Sequence, residues 1–239
     1  MSSDQKPLGF QILFEDPQCL FVNKPAGVLT QAPPGIDSIE RRIKSYLQES
    51  TQVEPYLGVP HRLDRAASGV MVFAKTTKAA RRLAEQFQAK IVEKVYWALV
   101  EGKVIEQHGT WVDSMRKVDG EPRAALIPAD YPEAKKAILH FIKRGQAGAI
   151  TWLEIRLETG RTHQIRLQTG SRGHPILGDQ LYGSKVIFGD PHSDERLRAI
   201  ALHARQLTLV HPTKRQSMTI EAPPTDTWQQ HVARFNIFS

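Results

Sequence analysis

The chain holds one cysteine, Cys19, among its 239 residues. A single thiol cannot close an internal disulfide, and it argues against a cysteine-built metal centre. Cys19 sits beside Leu20 and Phe21, where packing is its expected role. No uninterrupted apolar run approaches the roughly 18–20 residues that cross a bilayer. Residues Met1 to Gly9 are polar and lack the apolar centre of a signal peptide. No glycine-rich loop with a lysine is present to cradle a nucleotide, and no Gly-x-Ser-x-Gly turn of the hydrolase type. The nine histidines follow no metal-ligand spacing, so neither metal nor cofactor is expected. These absences lead to the expectation of a soluble protein of a reducing compartment, placed in the cytoplasm and off the membrane.

What is present reads as globular: 41% hydrophobic and 24% charged residues, enough to build a core. A net charge of +7 and a pI near 9.6 favour a polyanionic partner without requiring one. Ile12 to Val22 reads as two short strands around Asp16-Pro17, and Asn23 to Gly27 as a tight turn. After a Pro- and Gly-rich loop, Gln31 to Asp37, Ser38 caps a helix to about Gln48, with Ile39, Ile43 and Leu47 on one face. Thr77 caps a second helix with Ala80, Leu83, Ala84 and Phe87 inward and Lys78, Arg81 and Arg82 in water. Val95 to Val100 is strand-like, and Ile138–Ile142 pairs with Thr151–Leu157 through Gly145 to Gly148. Two late strands, Gln206–Val210 and Met218–Ile220, follow a polar loop at Ser184 to Arg198. Strands and helices do not alternate regularly, which excludes a doubly wound parallel fold. The expected architecture is one α+β domain over residues 10–225 on a mostly antiparallel mixed sheet, with 1–9 and 226–239 as terminal extensions.

Chemistry concentrates in two clusters. The first, His61-Arg62-Leu63-Asp64-Arg65-Ala66-Ala67-Ser68-Gly69, sets a carboxylate between two arginines ahead of an apolar run, Val70 to Ala74. Flanking guanidinium groups favour the ionised form of a carboxylate, which suits a nucleophile or base better than an acid. The second, far along the chain, is Gly160-Arg161-Thr162-His163-Gln164-Ile165-Arg166, followed by Gly173-His174-Pro175-Ile176-Leu177-Gly178-Asp179 and Leu181-Tyr182-Gly183.

Together these segments resemble the RluA family of pseudouridine synthases, with its His-Arg-Leu-Asp-x-x-Thr-Ser-Gly and Gly-Arg-Thr-His-Gln-Ile-Arg runs. Asn23-Lys24-Pro25-Ala26-Gly27, Lys94-Val95-Tyr96-Trp97-Ala98-Leu99-Val100-Glu101-Gly102, Leu202-His203-Ala204 and His211-Pro212 extend the likeness across most of the chain. The resemblance implies a curved mixed sheet, flanking helices and a central cleft. It implies isomerisation of uridine to pseudouridine in ribosomal or transfer RNA, with no cofactor or metal, by a protein for which a monomer is the simpler default.

By the same resemblance Asp64 is the catalytic aspartate, acting as nucleophile or as base, a choice the sequence leaves open. Arg166 is its expected bidentate partner. Tyr96 is expected to stack on the uracil, and Arg62 to enter the stack vacated by a flipped base. Arg161, at a helix start, is read as a phosphate contact. His61 and His163 are read as hydrogen-bonding or RNA-contacting groups, and Lys24 as a turn lysine within reach of phosphate.

Two departures stand out. Ala67 takes the place of the family's threonine, with Ser68 expected to cover part of the lost hydroxyl, and Gly170 predicts a short helix after Arg166. The pattern begins almost at once, so the small RNA-binding module that precedes it in many relatives is not expected here. Two other readings compete: an RNA-binding or RNA-folding protein on this scaffold, and a glycoside hydrolase, which needs two carboxylates where only one sits in a motif.

Overall fold

In a computed structural model, residues 8–235 are described. They form a ten-stranded mixed sheet in the order β1-β2-β3-β9-β4-β8-β7-β5-β6, with β10 added to β9. The strands are β1 (Gln11–Glu15), β2 (Cys19–Lys24), β3 (Ser68–Ala74), β4 (Glu93–Glu101), β5 (His108–Lys117), β6 (Ala124–Leu126), β7 (Lys135–Ala147), β8 (Ile150–Leu157), β9 (Leu202–Val210) and β10 (Ser217–Glu221). The helices are α1 (Ile39–Thr51), α2 (Thr77–Gln88), α3 (Gln164–Gly170) and α4 (Asp226–Val232). Every strand pair among the described residues is antiparallel except β3 with β9, which meet only at Ser68–His203 and Gly69–Ala204. The α+β reading holds, and that parallel junction lies at the foot of the Asp64 turn.

The apolar run after Asp64 becomes β3, buried at every position because strands flank it and helices cover it. Gly69 has φ 119°, and a β-carbon there would overlap the Ala204 carbonyl oxygen. Only glycine lets β3 approach β9 so closely. One core packs α1 and α2 on β1, β2, β3 and β9, through Ile39, Ile43, Leu83, Phe21 and Phe73. A second gathers β4, β8, β7 and β9 with Ile165 of α3 and Trp228 of α4. Tyr96 packs against both cores.

The structure shifts several boundaries. Ser38 caps α1 as read, but α2 is capped by Thr76, whose hydroxyl accepts from the Ala79 N–H at 3.2 Å. The inward face of α2 is therefore Ala79, Ala80, Leu83 and Phe87, and Ala84 is exposed. Strand β7 runs through Gly145 to Ala147, with a bulge between Lys143 and Gly145, so the reversal into β8 falls at Gly148 and Ala149. The expected extension after residue 225 begins with α4, whose Trp228 is buried against Phe188 and Trp97. Residues 1–7 and 236–239 lie outside the described part. No helix among the described residues is long and apolar enough to cross a membrane.

Candidate active site

Asp64 sits in the loop entering β3, on a turn fixed from three directions. The Ala67 N–H donates to the Asp64 carbonyl at 3.2 Å and closes the turn. The Thr30 hydroxyl brackets the preceding residue, donating to the Leu63 carbonyl at 2.9 Å and accepting from its N–H at 3.2 Å. Arg65 and Gly27 tie the following residue to the first loop: Arg65 Nε donates to the Gly27 carbonyl at 2.9 Å, and the Gly27 N–H to the Arg65 carbonyl at 2.8 Å.

Lys24 lies beneath this turn, and here the structure corrects the sequence reading. The side chain is fully buried, not in water or near phosphate. Its Nζ donates to the carbonyls of Pro25 and Val28 at 2.8 Å and of Arg65 at 3.3 Å. An ammonium has three donors, so the three carbonyls match it. Burial pushes its pKa down to about 7, partly opposed by the Asp64 charge. Lys24 is thus a staple for the Asp64 loop.

Arg166 approaches Asp64 from α3, but its bidentate fork points elsewhere. Nε and Nη2 donate to Oδ2 and Oδ1 of Asp179 at 2.7 and 2.8 Å, leaving Nη1 to donate to Asp64 Oδ2 at 3.2 Å. The Arg166 side chain is 8% exposed and that of Asp179 1%, against 27% for Asp64. The strong buried pair is therefore Arg166–Asp179, and Asp64 takes one N–H of the remaining nitrogen, Nη1. Burial opposes the Arg166 charge, and the Asp179 carboxylate outweighs it, raising the pKa above the usual arginine value. Asp179, with both oxygens on Arg166, does not supply the free second carboxylate of a glycoside hydrolase.

His163 stands on the other side of Asp64, with Nε2 3.8 Å from Oδ1 and Nδ1 3.0 Å from the Tyr182 hydroxyl. Its backbone is left-handed, φ 54° and ψ 25°, just ahead of α3. Burial lowers its pKa, with Asp64 pulling the other way. Tyr96, from β4, is partly buried, and its hydroxyl makes no hydrogen bond among the described residues. Burial first, then the Asp64 charge, raises its pKa above the ordinary tyrosine value, so its proton stays on.

The remaining expected site residues separate by environment. Arg62 is exposed and makes no hydrogen bond or ion pair among the described residues. His61 instead turns inward: Nε2 accepts from the Val72 N–H at 3.0 Å, and the ring stacks on Phe87 at 4.6 Å. Burial pushes its pKa down to about 3, aided by nearby Lys94, so the ring is a neutral acceptor, the hydrogen-bonding alternative of the sequence reading. Arg161 is partly exposed, with Nε donating to the Lys136 carbonyl at 3.1 Å. Its backbone N–H donates to Gln164 Oε1 at 3.0 Å, and α3 itself begins only at Gln164. The Ser68 hydroxyl lies 2.9 Å from Nδ1 of buried His203, and Ala67 packs in apolar core.

Asp179 and Tyr182 were quoted in the motifs but given no role. The signal was their place in Leu177-Gly178-Asp179 and Leu181-Tyr182-Gly183; the pairing with Arg166 and His163 is visible only in space. Elsewhere, Asp16, Cys19 and His211 form a compact group, with His211 Nε2 2.8 Å from Asp16 Oδ2. His211 Nδ1 accepts N–H groups of Thr213 and Lys214 at 3.2 and 2.9 Å, which puts the ring proton on Nε2. That proton occupies the lone pair a metal would need, so the residues do not fit a metal site.

Comparison with known proteins defines the class. Residues 18–171 match the family described as RNA pseudouridylate synthase. The chain belongs to this family. It is 36% identical over 230 residues to ribosomal large subunit pseudouridine synthase D of Nitrosomonas europaea, covering 94% of this chain and 65% of that one. It is 34% identical over 218 residues to an uncharacterized RNA pseudouridine synthase of Synechocystis sp., covering 89% and 64%. The chain thus spans just under two thirds of the length of these relatives. The human protein RNA pseudouridylate synthase domain containing 4 has the same fold, with TM-score 0.76 at 23% identity over 94% of this chain and 92% of that one.

Proposed function

We propose that this protein is an RNA pseudouridine synthase that isomerises uridines in structured RNA. The observation that carries the proposal is Asp64, partly exposed, near enough for its charge to act on the Tyr96 phenol, and held through one oxygen by an arginine that is itself clamped to Asp179. The reaction breaks the bond from ribose to the base nitrogen and joins ribose to carbon 5 of the same uracil. It needs a positioned carboxylate near the anomeric carbon, a surface for the base, and a way for the carbon-5 proton to leave.

Asp64 meets the first need as nucleophile or as base, since both require an oriented carboxylate. Its rigid turn and the Arg166 clamp set that orientation before substrate arrives. Tyr96 offers a flat, partly buried ring as the platform for uracil. A stacked uridine cannot reach this depth, so the base must be flipped out of its helix. Arg62, exposed and unpaired, has the planar group suited to fill the space left behind. Arg161 is assigned to phosphate through the part of its guanidinium not tied to Lys136.

Relatives whose names specify the large ribosomal subunit make ribosomal RNA the favoured substrate, with transfer RNA the alternative. Action as a cytoplasmic monomer belongs to the same proposal. The test is to incubate the protein with transcripts of both RNAs, digest them to nucleosides and separate these by chromatography. Pseudouridine, of unchanged mass and distinct retention, is the expected product. Tight RNA binding without any pseudouridine would favour an RNA-folding role on the same scaffold.

A further inference from the structure

The geometry points to His163 and Tyr182 as a positioning pair that orients the second oxygen of Asp64, an inference that rests on the synthase reading above. Arg166 Nη1 engages Oδ2 of Asp64, while Oδ1 faces His163 Nε2 at 3.8 Å. The hydrogen bonds around Tyr182 decide which nitrogen of His163 carries its proton. The Ala124 N–H donates to the Tyr182 hydroxyl at 2.8 Å, leaving the phenol's own proton for His163 Nδ1 at 3.0 Å. The other acceptor, the Ala124 carbonyl, is farther away at 3.5 Å.

A neutral imidazole that accepts at Nδ1 holds its proton on Nε2, and that proton faces Asp64. Catalytic hydrogen bonds are often long before substrate binds, and 3.8 Å leaves a short distance to close. The left-handed backbone of His163 is uncommon for a residue with a β-carbon, and it sets the ring between Asp64 and Tyr182. Tyr182 also underlies Arg166, with the guanidinium carbon 5.2 Å from the ring centre. One aromatic side chain thus supports both groups that hold the carboxylate. It is delivered by the 3-10 turn Gln180–Tyr182, directly after the Asp179 that clamps Arg166. The charged groups facing His163 are Asp64 from the β3 turn, Arg166 from α3 and Asp179 before the 3-10 turn.

The test uses single-turnover rates at saturating RNA for His163→Asn, Tyr182→Phe and the double variant. Asparagine tolerates the left-handed backbone, so His163→Asn removes the ring and leaves the turn. Each single change should slow chemistry roughly tenfold while RNA affinity and thermal midpoint stay near wild type. The double variant should be no slower than the slower single one, because both changes break the same contact.

A pH series separates positioning from a merely structural role. Without the phenol hydroxyl, Nδ1 is open and the ring can take a second proton at acid pH, which restores a donor at Nε2. The ratio of Tyr182→Phe to wild-type rate should therefore rise as the pH falls through and below the ordinary imidazole range. In the double variant that rise should vanish. A wild-type rate for His163→Asn overturns the inference, and this variant decides it alone if Tyr182→Phe does not fold. Multiplicative effects with a ratio that ignores pH overturn it as well. Absence of pseudouridine with the wild-type protein would instead sink the synthase reading and the inference with it.

Discussion

Replacing Asp179 by asparagine should cost far more stability than the same change at Asp64, although both carboxylates touch Arg166. Asp179 is 1% exposed and receives two short hydrogen bonds from a guanidinium that is itself 8% exposed. Asp179→Asn keeps the shape, removes the charge and turns an amide N–H₂ toward N–H donors. Arg166 would then be a buried cation with one amide oxygen in place of a carboxylate and with Asp64 as its one remaining negative partner. Removing one partner of a buried pair costs about 3–5 kcal/mol. Against a typical total of about 5–15 kcal/mol this is a large fraction. For a domain of this size it corresponds to a fall of roughly 6–20 °C in Tm. Asp64 is 27% exposed and holds one contact at 3.2 Å, so Asp64→Asn should cost no more than about 1 kcal/mol. Urea and thermal unfolding of the two variants beside wild type give both numbers. Equal losses, or a loss under about 1 kcal/mol for Asp179→Asn, would refute the assignment of the structural clamp to Asp179.

Stability should also depend on Asp16 at acid pH. Burial opposes the Asp16 charge, but N–H groups of Cys19 and Gln18, with Lys214 and His211, outweigh it and hold the carboxyl well below the usual range. Its contribution is thus full above about pH 4 and is lost as pH falls toward the depressed folded value. Asp16→Asn should be less stable than wild type at neutral pH, and the gap should narrow steadily below about pH 4; a constant gap would contradict this. Arg62→Ala should lower the single-turnover rate more than RNA affinity, and weakened binding with an unchanged rate at saturation would remove Arg62 from base flipping. Arg161→Ala should weaken binding and make the log–log salt slope shallower by roughly 0.7, one phosphate's share on single-stranded RNA; an unaltered slope would rule the contact out.

The sequence exposed the parts of the site that are local and left out those built across space. Asp64, Arg62 and the buried strand after them lie in one continuous run, so their kinship was readable. That Arg166 meets Asp64 was also expected, yet the direction of its fork was not, because a guanidinium has several donors and sequence does not say which acceptor each finds. Lys24 was misjudged for a related reason. In a turn of Pro and Gly a lysine looks solvated, whereas three carbonyls from two loops converge on its Nζ. For His61 the sequence left hydrogen bonding and RNA contact open, and the ring turns in to Phe87 and a β3 amide.

In the fold, the caps of helical segments gave usable signals, good to one residue at Thr76. Strands β5 and β6 gave none, since they lie at the sheet edge where burial is sparse and polar residues interrupt the pattern. The C-terminal helix was read as a tail because it is short, although its single tryptophan anchors it in the core.

The measurement closest to the central claim is single-turnover conversion of uridine to pseudouridine by Asp64→Asn at saturating RNA. Asp64 sits on a turn held by Thr30, Lys24 and Arg65, so the variant should fold and bind RNA as wild type does. The account predicts no pseudouridine from it, because either mechanism at the anomeric carbon depends on the carboxylate. Turnover above the level of a purified wild-type-free control would contradict the account.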